Sequence, residues 1–342
     1  MTKIFVTGGA GFIGSAFVRL IRADKPDIEI VNFDALTYAG NLENLRGLDE
    51  TRHTFVKGNI CDRDAVNAAM PDDCDAVFNF AAESHVDRSI NSADEFLRTN
   101  IIGTQVLLDA ARAKKAKRFV QVSTDEVMGS LPDESDDYFT EDSPLQPNSP
   151  YAASKAGAEF CVRAARETHG LDTVVTRCGN NYGPRQFPEK LIPLMISNAL
   201  NDEPLPIYGD GMNVRDWIYV DDHCRGIWLA YERGRTGEVY NIGARNEQHN
   251  IDVVRSLLDA LQKPHDLIRF IEDRPGHDRR YAIDPTKCET ELGWKPQVNW
   301  TDGLAATISW YRENQPWVEH IRSGEYQKYY DGLYAARLSQ SK

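Results

Sequence analysis

No run of this chain reaches the roughly 20 consecutive apolar residues that cross a bilayer. Its start has neither the basic opening nor the apolar stretch of a secretory leader. The six cysteines (Cys61, Cys74, Cys161, Cys178, Cys224 and Cys288) are scattered without a C-x-x-C pair, which argues against a disulfide framework and a zinc site. His85, His223 and His249 stand at no recognisable ligand spacing, so no metal is expected. Positive charge is also short: 39 Lys and Arg face 52 Asp and Glu, a formal net charge of −13. Such a surface repels nucleic acid and anionic membranes, so neither is an expected partner. Any small anionic ligand must be gripped by a few placed cations or by backbone N–H groups. The expectation is a cytoplasmic protein with free thiols.

What is present suffices for a large core, since 41% of the 342 residues are apolar. Short β-branched or apolar runs predict strands at Lys3–Thr7, Glu29–Phe33, Thr54–Lys57, Ala76–Phe80, Arg118–Ser123 and Thr173–Arg177. Helical patterns lie between them at Phe12–Asp24, Asp62–Met70, Ala93–Ala113 and Pro150–His169. Continuous apolar strands separated by helices predict an α/β fold, a doubly wound parallel sheet covered on both faces. After about Arg177 turns become frequent, with aromatics and arginines among them and a helix over Asp252–Leu261. The expected division is 1–178 for the sheet domain and 179–342 for a smaller ligand-binding lobe, with some segments returning to the sheet. The acidic stretch Asp133–Asp142 reads as a solvated loop.

The first strand runs into Thr7-Gly8-Gly9-Ala10-Gly11-Phe12-Ile13-Gly14, and a helix follows. Gly9, Gly11 and Gly14 satisfy G-x-G-x-x-G; Gly8, Gly11 and Gly14 satisfy the G-x-x-G-x-x-G variant. A strand before and a helix after give this pattern its meaning, because backbone N–H groups and the helix start can then approach a pyrophosphate. Asp34 ends the second strand 20 residues after Gly14. A carboxylate there accepts from an adenosine ribose and repels a 2′-phosphate, which selects NAD over NADP. The plainer alternative is that it caps the turn into Ala35-Leu36-Thr37. Asn59 ends strand three and is placed for the adenine edge, while Ala81-Ala82-Glu83-Ser84 should line the cofactor path.

Ser149-Pro150-Tyr151-Ala152-Ala153-Ser154-Lys155 starts a helix with a cap and a first-turn proline, and sets Tyr151 and Lys155 one turn apart. Y-x-x-x-K is common on exposed helices; after a dinucleotide loop it reads as a phenol whose pKa a neighbouring ammonium, with the positive nicotinamide ring, lowers for proton abstraction. The fifth strand ends in Ser123-Thr124-Asp125-Glu126-Val127-Met128, at the sheet edge where open α/β proteins bind ligands. Two adjacent carboxylates there suggest more than redox chemistry. One can donate a proton while the other abstracts one, and their closeness pushes their pKa values apart. Elsewhere such a dipeptide would be turn and surface.

Together these residues resemble the extended short-chain dehydrogenase/reductase superfamily, and within it the nucleotide-sugar 4,6-dehydratases. The resemblance runs from Gly8 to about Tyr311. It also rests on Ser84-His85-Val86-Asp87-Arg88, Asn180-Asn181-Tyr182-Gly183-Pro184, Phe187-Pro188-Glu189-Lys190-Leu191, Arg215-Asp216-Trp217 and Arg274-Pro275-Gly276-His277. It implies a Rossmann-type fold, NAD as cofactor and a nucleotide-diphosphate hexose, most specifically a dTDP-hexose, as substrate. Tyr151, with Thr124 and Lys155, would take the C4 hydroxyl proton; Glu126 would remove the C5 proton; Asp125 would protonate the departing C6 hydroxyl. Further cofactor contacts implied are Phe12, Ile13, Ile60, Phe80, Thr99 and Asn181.

Substrate contacts implied are Ser84, Thr124, Asn180, Lys190 and Leu191, then Pro206-Ile207-Tyr208, Arg215, Asn250, Asp273, Arg274 and His277. A guanidinium such as Arg215 can hold two diphosphate oxygens at once, though any of these cations could instead be a surface ion pair, and His277 a packed loop histidine. Three positions depart from the family pattern: Met128 stands where tyrosine is usual, Asn59 replaces aspartate and Gly179 replaces serine. Met128 is expected to alter pocket polarity. Rival readings are a 4-epimerase, a dehydratase of another nucleotide sugar such as UDP- or CDP-glucose, and a non-catalytic NAD sensor. A homodimer through Pro150–His169 and Ala93–Ala113 is expected, with the small residues Ala152, Ala156, Gly157 and Ala164 at the interface; intrachain packing is the alternative.

Overall fold

Every strand of the main sheet pairs in parallel, in the order β10-β6-β5-β4-β1-β2-β3. The strands are β1 (Lys3–Thr7), β2 (Glu29–Asp34), β3 (His53–Lys57), β4 (Ala76–Asn79), β5 (Phe119–Val122), β6 (Thr173–Cys178) and β10 (Val239–Ile242). The computed structural model describes residues 2–133, 135–322 and, past them, 330, 332, 334, 337 and 338. Parallel pairing needs long crossovers, and helices supply them. The strand order turns back between β1 and β4, which opens a crevice at the carboxyl ends of the strands.

The strands are buried on both faces, and their alternating side chains feed two cores. On one face α1 (Phe12–Asp24) packs Phe17, Val18 and Ile21 against Ile4, Val6 and Phe78. The other face is covered by α2 (Arg63–Ala69), α5 (Thr104–Ala113) and α6 (Pro150–His169), burying Phe5, Phe33, Val77 and Phe119. Each such side chain contributes about 2 kcal/mol. The short helix α3 (Val86–Asn91) follows β4.

The predicted helix Ala93–Ala113 is present but not α-helical throughout: α4 (Asp94–Phe96) passes into π-helical turns over Leu97–Gly103 before α5. Contacts with distant segments meet this stretch. Asn100 is turned inward, donating to the Glu83 carbonyl at 3.0 Å and the Ser154 hydroxyl at 2.8 Å. Gly103 packs so tightly on Ile60 that an added Cβ would lie 2.5 Å from its Cδ1.

The second half builds another core from α7 (Leu191–Leu200), α9 (Asn250–Leu261), α10 (Trp300–Glu313) and α11 (Gln315–Arg322). Small sheets flank it: β11 (Glu247–His249), β9 (Val214–Tyr219) and β7 (Asn180–Tyr182) in one, β12 (Ile268–Ile271) and β8 (Leu205–Tyr208) in the other. Between β9 and β10, α8 (Val220–Arg233) packs back on the first core, placing Ile227 and Trp228 there. The acidic stretch is not a free solvated loop. Phe139 is buried and donates its N–H to Ala282, and Arg280 donates to the carbonyls of Ser135 and Asp137.

Candidate active site

The turn after β1 has the shape a pyrophosphate needs. Gly8 adopts φ +69°, and a Cβ there would lie 2.6 Å from the Ala81 nitrogen; at Gly14 it would lie 2.2 Å from the Gly8 carbonyl oxygen. Only glycine lets the turn close against β4 and α1. The α1 N-cap is Gly11, which offers no side chain to the first N–H groups, so these remain for a ligand. Asp34 is buried and takes 2.9 and 2.7 Å hydrogen bonds from the Ala10 and Leu36 N–H groups. Burial nevertheless lifts its pKa above the usual range.

One cleft joins these residues: it is lined by Gly8, Gly11, Phe12, Ile13, Gly14, Asp34, Ala35, Thr37, Asn59, Ile60, Phe80 to Ser84, Thr99 and Asn181. The cradle thus fits a dinucleotide. Leu36 is the exception among the expected cofactor residues, because its side chain packs against the first core. The Asn59 Oδ1 atom already accepts from Cys61 N–H at 2.8 Å.

The same cleft is lined by Thr124, Asp125, Glu126, Tyr151 and Lys155. Thr124 caps a 3₁₀ turn (Asp125–Met128), accepting from Glu126 N–H. That turn sends both carboxyls inward. Asp125 is 1% exposed, shares a 3.2 Å contact with the Thr124 hydroxyl, and has no partner for its buried Oδ2. Burial and the neighbouring Glu126 push its pKa well above the ordinary carboxylate value. Burial also raises Glu126, but Arg274, Lys190 and Arg215 pull against it. The two acids are therefore driven apart.

Ser149 accepts from Ala152 N–H at 3.1 Å and starts α6 with Pro150 in its first turn. Lys155 stands one turn on from Tyr151 along α6. Its Nζ donates to the Val122 carbonyl at 2.7 Å, and burial drops the ammonium to about 8. Burial and Glu126 hold Tyr151 well above 10, opposed by a hydrogen bond with Thr124.

Of the expected substrate residues, Ser84, Thr124, Asn180, Lys190 and Leu191 line the cleft, with Lys190 donating to the Ser84 carbonyl at 2.7 Å. Pro206, Ile207, Tyr208, Arg215, Asn250, Asp273, Arg274 and His277 lie beyond its lining. The Arg215 guanidinium already donates to the carbonyls of Val214 and Asp278, at 2.7 and 2.9 Å, and stacks over Tyr281. His277 pairs with Asp273 at 2.6 Å and is lowered to about 4 by burial and by Arg274. Among the described residues no His, Cys, Asp and Glu cluster could hold a metal, and no helix is long and apolar enough to cross a membrane.

The family described as GDP-mannose 4,6 dehydratase matches residues 5–307. The dTDP-glucose 4,6-dehydratase of Neisseria meningitidis is 51% identical, over 95% of this chain and 98% of its own. That of Escherichia coli is 49% identical over 98% and 99%. The chain belongs to the dTDP-glucose 4,6-dehydratase family. A solved relative from Streptomyces venezuelae, crystallised with NAD and TYD (a dTDP ligand) bound, superposes with a TM-score of 0.91 at 51% identity, covering 94% of this chain and all of that one. The UDP-glucose 4-epimerase of Thermotoga maritima shares the fold at 30% identity and a TM-score of 0.84, over 92% of this chain and all of its own.

Two departures from the dTDP-glucose 4,6-dehydratase family pattern have structural explanations. Met128 does not line the cleft. It is 2% exposed and packs with Phe139, Ala156 and Ile283, its Sδ 3.6 Å from the Arg177 guanidinium. Gly179 makes room for the Asp216 carbonyl, which would lie 2.6 Å from a Cβ. Sequence reasoning missed Cys178, Gln186, Phe187 and Glu189, which all line the cleft. Glu189 was within reach, since it precedes Lys190 in a segment already singled out. Its partner Tyr38, whose hydroxyl donates to it at 3.1 Å, lies 151 residues away.

Proposed function

We propose that this chain is a dTDP-glucose 4,6-dehydratase that binds NAD and produces the 4-keto-6-deoxy sugar nucleotide. The observation that carries the reading is the convergence of a phenol, a hydroxyl and two unequal acids on the cleft that holds the glycine turn. When bound, NAD supplies the chemistry of taking a hydride from C4 and giving it back at C6. Tyr151 takes the C4 hydroxyl proton as its phenolate, the form that the Lys155 ammonium and the positive nicotinamide ring of bound NAD would favour against the burial that raises its pKa, with Thr124 orienting that oxygen. The C4 ketone acidifies C5–H, and Glu126, the acid with three cations around it, removes that proton. Asp125, in its protonated form, gives its proton to the C6 hydroxyl, which departs as water. Glu126 then returns a proton to C5.

The roles of the remaining expected residues belong to the same proposal. Residues 1–178, with the returning α8 and β10, bind NAD, and 179–342 mainly bind the sugar nucleotide. Asp34 takes the adenosine ribose. Lys190 and Asn180 meet the sugar diphosphate from inside the cleft. Arg215, Arg274 and the Tyr208–His277 neighbourhood reach it from beyond. A cytoplasmic homodimer fits the six free cysteines and the exposed Leu97, Ile102 and Phe160 on adjacent helices. Ala152 and Ala156, expected at that interface, are buried within the chain, and Gly157 packs on Ile101.

The decisive test is a panel of dTDP-, UDP-, CDP- and GDP-hexoses with products read by mass. Loss of water from dTDP-glucose is the expected result. Loss of water only from another nucleotide sugar would reassign the substrate. An unchanged mass with a galactose nucleotide as product would make the chain an epimerase.

A further inference from the structure

Ala10 stands in the middle of the glycine turn, yet it does not line the cleft. Both of its backbone polar groups are taken on the protein side. Its N–H donates to Asp34 Oδ2 at 2.9 Å, and its carbonyl accepts from the Asn41 N–H at 3.0 Å. The same carbonyl accepts a second bond, from the side-chain Nδ2 of Asn44 at 2.9 Å. Asn44, 2% exposed, belongs to a 3₁₀ turn (Leu42–Leu45) that follows β2.

The other end of that amide is held from the far end of the chain. Trp317, on α11, donates its indole N–H to Asn44 Oδ1 at 3.0 Å, across 273 residues of sequence. Only one orientation of the amide satisfies both bonds, since its oxygen must face the indole and its NH2 must face Ala10. The Asn44 backbone is fixed as well, because its carbonyl accepts from Arg19 of α1 at 3.1 Å. Trp317 is itself buried, and its ring packs edge-on against Trp310 and Tyr311. On the same helix His320 lies 2.9 Å from Glu43, so α11 meets this 3₁₀ turn twice.

Gly11, Phe12, Ile13 and Gly14 follow Ala10 directly and line the cleft. Their N–H groups converge on a pyrophosphate only when the turn before them holds one conformation. A turn ordered before NAD arrives spares binding the cost of ordering it. We propose that Asn44 is a positioning residue for NAD, and that Trp317 makes the C-terminal helix α11 part of the cofactor cradle. Asn44 acts on the turn, and the turn acts on the cofactor. The half of the chain that mainly binds the sugar nucleotide thereby also sets how tightly NAD is kept.

The test is exchange of resident NAD for isotopically labelled NAD on the full-length enzyme, read by mass. Asn44→Ala should release NAD about tenfold faster than wild type, the order expected when one buried hydrogen bond is lost. Asn44→Asp keeps the acceptor for Trp317 but has no N–H for Ala10, so it should exchange as fast as Asn44→Ala. Trp317→Phe keeps a ring in the core and deletes only the N–H; it should exchange several-fold faster than wild type. The double variant of Asn44→Ala with Trp317→Phe should be no faster than Asn44→Ala alone, because Trp317 acts through Asn44. If Asn44→Ala does not fold, Asn44→Asp takes its place. A merely structural contact would lower Tm and leave exchange unmoved. An unmoved rate in Asn44→Asp or Trp317→Phe, or rates that multiply in the double variant, would overturn the proposal. Gly8→Ala keeps the cofactor reading separate. Wild-type exchange in that variant would mean that NAD does not lie on this turn, whereas faster exchange there with unmoved Asn44 variants would sink only the role of Asn44.

Discussion

Glu159 grips Arg177 with both carboxylate oxygens, at 2.7 Å to Nη2 and 3.1 Å to Nε, one helical turn beyond Lys155. Both side chains are about 5% exposed. Buried pairs of this kind are costly to break, because removal of one partner strands the other's charge. Glu159→Gln should therefore lose roughly 3–5 kcal/mol in urea unfolding. Glu159 also helps hold up the ammonium of Lys155, which burial has dropped to about 8. The alkaline limb of kcat/KM should accordingly move to lower pH in the variant, and an unmoved limb would show that Lys155 does not need its charge.

Glu126→Gln keeps the cleft's shape and removes the base. Water loss should fall at least about 100-fold, the usual worth of a positioned proton acceptor. Slow oxidation at C4 should persist, seen as reduced nicotinamide absorbance that builds up without a dehydrated product by mass. Wild-type turnover would refute the role given to this carboxyl.

Gly8→Ala tests the cradle. The left-handed backbone and the 2.6 Å approach to Ala81 both penalise a methyl group. The strain is about 1–2 kcal/mol from the backbone alone. Purified variant should carry less NAD after gel filtration than wild type and melt several degrees lower.

Glu189 makes stability depend on pH. Burial raises its pKa from 4.5 to about 7, so the folded state favours the protonated carboxyl. The stability this gives is fully present below 4.5 and is lost as pH climbs through 7. Glu189→Gln cannot ionise. Its Tm should match wild type near the acid end of that window and exceed it above 7, a gap on the order of 3 kcal/mol when complete. A constant difference across the range would place the titration elsewhere.

Much of this was legible because it is local. The start of α1 at Phe12 and the full span of α6 from Pro150 to His169 follow from caps, a first-turn proline and apolar period, all written within a few residues of each other. The glycine turn and Asp34 have fixed spacing for the same reason. The Leu97–Gly103 distortion was not legible; that stretch meets Glu83, Ser154 and Ile60, residues brought against it only by folding.

The sequence alone determined the parallel sheet, the dinucleotide turn and the chemical types at the reaction centre, because backbone preferences and side-chain chemistry act over short distances. Tertiary structure decided what those groups are at neutral pH and what holds them. It set Asp125 above its usual pKa, bonded Lys155 to Val122, turned Met128 into the interior and tied Arg274 to Asp87. Desolvation and charge pairing depend on which distant segments exclude water from a group, and no stretch of sequence carries that information by itself.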